Sequence, residues 1–74
     1  MINELDRVAL TKAVTEHGLE PGDVGTVVMV HKGGQGFTLE FMTLGGETLA
    51  IVTVDSDAVR PLRRREITHV REVA

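Results

Sequence analysis

The chain has 74 residues, a formal net charge of −3, 42% hydrophobic residues, and no cysteine, tryptophan or tyrosine. That is one small domain, with no room for a multidomain enzyme and no thiols for a disulfide framework or a cysteine-ligated zinc site. Ordinary apolar content and low net charge argue against a disordered chain. Eleven valines, eight threonines and three isoleucines favour pleated, half-buried surfaces. No long segment carries a helical period, and short apolar runs alternate with turn residues, so a small all-β fold is expected.

The first strand is predicted over residues 6–12, with Val8 and Leu10 on one face. Residues 13–22 form a longer connection. Ala13 to His17 reads as a helical turn closed by Gly18, since glycine tolerates the left-handed backbone at such an end. Glu20-Pro21-Gly22-Asp23 then reads as a type II turn, because proline presets φ and the glycine supplies a positive φ. The second strand spans residues 24–32. Strict alternation puts Val24, Thr26, Val28 and Val30 on one face and Gly25, Val27, Met29 and His31 on the other. Gly25 marks a close approach or a bulge.

Gly33-Gly34-Gln35-Gly36 is a hairpin loop; a phosphate cradle would need a helix after it, and a strand follows. That third strand, residues 37–43, alternates Phe37, Leu39 and Phe41 with Thr38, Glu40 and Met42. Gly45-Gly46 predicts a tight turn of type I′ or II′. The fourth strand covers residues 47–54, with Ala50, Val52 and Val54 opposite Leu49 and Ile51. A polar turn at residues 55–57 leads to a short fifth strand, residues 58–62, which Pro61 confines to an edge or a strand end. Five short strands, one long connection and three tight turns predict a small five-stranded SH3-like barrel over residues 1–62. Residues 63–74 form a C-terminal extension, readable as a sixth strand, a short helix or a flexible segment.

Particular runs carry a family resemblance. Asp6-Arg7-Val8-Ala9-Leu10, Gly18-Leu19, Gly22-Asp23-Val24-Gly25-Thr26-Val27-Val28, Phe37-Thr38-Leu39-Glu40-Phe41 and Val59-Arg60-Pro61-Leu62 together resemble a family of small bacterial domains of unknown function. The run from Gly22 to Val28 is also similar to KOW-type motifs and to the SH3-like domain of the nitrile hydratase β subunit. The resemblance implies an SH3-like barrel and no established activity, and it covers about residues 5–62.

Charge is unevenly placed. Residues 1–62 carry nine acids against four bases, and residues 63–74 carry Arg63, Arg64, Arg65 and Arg71 against Glu66 and Glu72. A basic tail on an acidic body reads either as a nucleic-acid arm or as a segment that docks on its own body or a neighbour's. Ser56, between two aspartates in a turn, has no histidine near it in sequence and reads as a turn former rather than a nucleophile. His17, His31 and His69 lack paired ligand spacing, so no metal or other cofactor is expected. Asp55 and Asp57 belong to a turn and lack calcium-loop spacing. Met1 to Asp6 has neither a basic nor an apolar leader character, and no apolar run approaches the roughly 20 residues of a membrane span, so a cytoplasmic protein is expected.

Several strands are apolar on both faces. Val27, Met29, Met42, Leu49 and Ile51 would stand outside a one-faced barrel, and Ile67 and Val70 are the apolar anchors of the tail. Such a patch on a domain with only two phenylalanines points to association. The expectation is a non-catalytic protein-interaction module that forms a homo-oligomer and binds a protein partner. The alternative is a small RNA- or DNA-binding protein whose contacts are Arg60, Arg63, Arg64 and Arg65.

Overall fold

The computed structural model describes residues 1–73. Five strands form one antiparallel sheet: β1 (Arg7–Leu10), β2 (Val24–His31), β3 (Gly36–Met42), β4 (Thr48–Asp55) and β5 (Val59–Pro61). Their order is β4-β3-β2-β1-β5. The all-β, five-stranded architecture is the one expected from the sequence. The sheet is not closed into a barrel, however: β4 and β5 are its two edges. β5 has three residues, and β1 already pairs it through Val8↔Pro61, Ala9↔Arg60 and Leu10↔Val59. Instead of hydrogen bonds, a single 3₁₀ turn, Ser56–Ala58, carries the chain from β4 to β5.

The turns follow their residues. Gly22 takes φ 93°, and the Asp23 N–H donates to the Glu20 carbonyl at 3.0 Å, as the proline-glycine pair predicts. A 3₁₀ turn, Thr15–His17, ends at left-handed Gly18. The turn after β3 differs from expectation. The Gly46 N–H bonds to the Thr43 carbonyl and only Gly46 takes a positive φ, so this is a longer loop ending in a left-handed glycine rather than a primed turn.

Phe37, Leu39 and Phe41 of β3 are buried at the centre of the core, with Val8, Leu10, Leu19, Val52 and Val59 around them. Leu39 and Val27 are fully buried, each worth roughly 1.5–3 kcal/mol of burial. Val27 corrects the alternation read from the sequence. It belongs to the core at 0% exposure and not to an outer surface. Gly25 and Val27 face inward, the register then slips between Val27 and Met29, and Val30 beyond the slip packs on the core again. The extra residue of this bulge is Val28. Gly25 is what lets the first half of β2 turn this way: a Cβ there would lie 2.9 Å from the Phe41 ring.

Candidate functional site

Two regions stand out from the folded body. The first is the outer face of β2, β3 and β4. Residues directly opposite one another share a face, and the pairs Met29↔Thr38, Thr38↔Thr53 and Glu40↔Ile51 place Met29 and Ile51 outward with Thr38, Glu40 and Met42. Ile51 is 60% exposed, and Met29, Met42 and Leu49 are exposed as well. A second bulge, between Phe41 and Met42, makes Leu49 the extra residue of β4. Glu40, the charged group in the middle of this face, accepts a 2.8 Å hydrogen bond from the Thr48 hydroxyl on the same face. Towards the far end, His31 Nε2, the Thr38 hydroxyl and the Thr53 hydroxyl form a short chain with spacings of 2.6 and 2.8 Å.

The second region is the C-terminal segment. Among the described residues it forms no strand and no helix. It is tied to the body at two points. Near its start, the Arg60 guanidinium donates two hydrogen bonds to Glu66, and the Arg63 N–H donates a third. These donors pull the Glu66 carboxyl from 4.5 down to about 2, Arg60 being the larger cause. Near its end, Arg71 reaches the Gly18–Asp23 turn. Its Nε donates to Asp23 Oδ1 at 2.9 Å, and its Nη2 donates to Asp23 Oδ2 and to the Gly18 carbonyl, the latter at 3.0 Å. Glu20 lies 3.6 Å from Nη1. The guanidinium holds the Asp23 carboxyl below its usual value.

Other candidates gather no chemistry. Ser56 borders a cleft with Ile2, Val30 and Phe37 that contains no histidine. Asp57 is engaged by Lys12 at 2.9 Å. No group of three histidine, aspartate or glutamate residues is arranged to hold a metal among the described residues.

A family model for a domain of unknown function, DUF4926, matches residues 4–61. The chain belongs to this family. The DUF4926 match takes in all five strands and the Gly18–Asp23 turn, and it stops before Arg63. No curated protein and no solved structure matches the chain. No helix among the described residues is long and apolar enough to cross a membrane.

The sequence-derived surface residues are thus sorted by the fold. Met29, Met42, Leu49 and Ile51 are all exposed on the DUF4926 sheet, with Thr38 and Glu40 of β3 between Met29 and Ile51, and Val27 leaves them for the core. Ile67 and Val70 stay exposed, but on the C-terminal segment rather than on the sheet. Arg60 is committed to Glu66, while Arg63, Arg64 and Arg65 are exposed. The acceptors around Arg71 were not anticipated; the acids of the Glu20–Asp23 turn and the isolated arginine in a basic tail were their only signal.

Proposed function

We propose that this DUF4926 chain is a non-catalytic interaction module whose first partner is a second copy of itself, working in the cytoplasm. The observation that carries this reading is the outer face of β2–β4, where Met29, Met42, Leu49 and Ile51 are exposed and the one carboxylate among them, Glu40, is engaged by the Thr48 hydroxyl. An apolar patch is complementary to itself across a two-fold axis. Edge-to-edge pairing of β4 centred on Ile51 would bring Glu47 of one copy against Asp55 of the other, which is repulsive. Stacking the two faces avoids that opposition, and this is the assembly proposed, with sheets about 10 Å apart.

An SH3-like reading of the sheet is supported by its strand order, in which β1 bridges β2 and β5. The likeness to KOW-type motifs and to the nitrile hydratase β subunit rests on the run Gly22 to Val28. Nucleic-acid binding is the weaker reading. Of the four arginines that would serve it, Arg60 is occupied by Glu66, and the body beside them is acidic. Light scattering across a concentration series tests the proposal. The mass should rise above that of the monomer, and Ile51→Glu should restore the monomer at every concentration. A wild-type chain that stays monomeric at high micromolar concentration would overturn it.

A further inference from the structure

The C-terminal segment is held as a ligand is held, at its ends and by side chains. Glu66 N–H to the Arg63 carbonyl is its last backbone-to-backbone hydrogen bond; residues 67–73 make none among those described. Its apolar side chains do not anchor it either, since Ile67 is 93% exposed and Val70 is also exposed. Its two fixed points flank β1. Ala9 of β1 lies between Arg60 on one side and Val24 on the other. The segment starts from the Arg60 side, where Glu66 is bound, and ends at Asp23, next to Val24. The outer face of β1 at Ala9 lies between these two points. Ala9 is only 2% exposed although it lies on the face opposite Val8 and Leu10 and outside the core cluster. A methyl side chain leaves room for a peptide to cross there.

The site that receives Arg71 is built without Arg71. Asp23 Oδ2 accepts the Glu20 N–H at 2.8 Å, and the Asp23 N–H donates back to the Glu20 carbonyl. The Gly22 N–H donates to the Leu10 carbonyl at 2.8 Å, and the Leu10 N–H donates to the Asp23 carbonyl at 2.9 Å. The Gly18 carbonyl is set by the left-handed end of the 3₁₀ turn. Three acceptors are thus fixed by the body to meet a planar fork, a geometry that guanidinium fits and ammonium does not. All of these residues lie within the family match, whereas their occupant lies beyond it.

We infer that the Gly18–Asp23 turn and the outer face of β1 form a docking site for an extended, arginine-bearing peptide segment of a partner protein. The chain's own C-terminal segment fills this site in cis and must leave for the partner to enter. This surface differs from the one proposed for self-association. Competition sets the expected behaviour, because a segment tethered by a short linker acts at an effective concentration of roughly millimolar.

The test uses the full chain carrying Arg71→Ala, which empties the site. A synthetic peptide with the sequence of residues 62–73 is titrated into it and followed by amide chemical shifts. Saturable shifts at Ala9 and Gly18 to Asp23 are expected, with an apparent affinity at least tenfold tighter than for the wild-type chain. A peptide carrying Arg71→Lys should bind at least tenfold more weakly. No shift at millimolar peptide, or equal binding of the lysine peptide, would overturn the inference. The wild-type chain and its Asp23→Asn form give a second readout that needs no emptied variant. Asp23→Asn should raise the fast backbone mobility of residues 67–73, read as lower heteronuclear NOE values, while leaving the strands unchanged, and unchanged values there would also refute the site. A monomeric chain that binds the peptide would refute self-association alone.

Discussion

Gly25→Ala is a sharp probe of how β2 meets β3. An added Cβ would sit 2.9 Å from Phe41 Cε2 and Cζ and 3.2 Å from Cδ2. Ordinary contact begins at 3.4 Å, so the ring must recede by about 0.5 Å. Phe41 is buried, so it cannot swing into solvent and must push on its neighbours in the core. Overpacking of this kind costs about 1–3 kcal/mol. Alanine returns about 0.4–1 kcal/mol by restricting the unfolded chain, since Gly25 does not use a positive φ. The net expectation is a destabilisation of about 1–2 kcal/mol, or a melting temperature lowered by about 5–15 °C in a domain of this size. Urea unfolding followed by far-ultraviolet circular dichroism reads it directly, the chain having no tryptophan. Adding Phe41→Leu should make the alanine better tolerated than in the wild-type background, because the two substitutions share one contact. Stability unchanged or raised by Gly25→Ala alone, or additive effects of the pair, would refute the packing described for these two strands.

Three further outcomes follow from the same structure. Leu39→Ala, at a fully buried position, should cost about 2–5 kcal/mol in urea unfolding, whereas Ile51→Ala at dilute concentration should stay within about 0.5 kcal/mol. The Glu66 carboxyl should titrate near 2 by carbon-13 chemical shift; because its folded value lies below the ordinary 4.5, its contribution to the clasp is complete above that pH and disappears as pH falls through about 2. A midpoint near 4.5 would mean that Arg60 does not hold it. Asp23 is likewise lowered from 3.8 by Arg71, so Arg71→Ala should raise its midpoint, and an unmoved titration would contradict the contact.

The strands and the turns at Gly18 and Pro21-Gly22 are legible because alternation and glycine punctuation are local, whereas the Gly45-Gly46 loop takes a form those residues do not specify. Phe37, Leu39 and Phe41 declare the core face of β3, and Pro21-Gly22 declares the turn before β2, without any tertiary contact. Period-2 alternation puts Val27 on the same face as Met29 because it cannot reveal a bulge: one extra residue at Val28 changes the parity of everything beyond it. Gly25 held the missing clue, but only the placement of Phe41, sixteen positions away, gives it meaning. Barrel closure was over-read for a related reason. Five strands can be counted in a sequence, but whether the first edge meets the last depends on strand length and curvature, and β5 has three residues. The uneven charge announced that the tail could dock on the body. It could not say where, because Arg71 and Asp23 are 48 positions apart.

Self-association through the outer face of β2–β4 is the central claim, and sedimentation velocity at high micromolar concentration tests it most directly. The wild-type chain should sediment as a dimer or larger symmetric species, and the Met29→Glu/Ile51→Glu chain as a folded monomer. A wild-type monomer, or an oligomer indifferent to both substitutions, would contradict it.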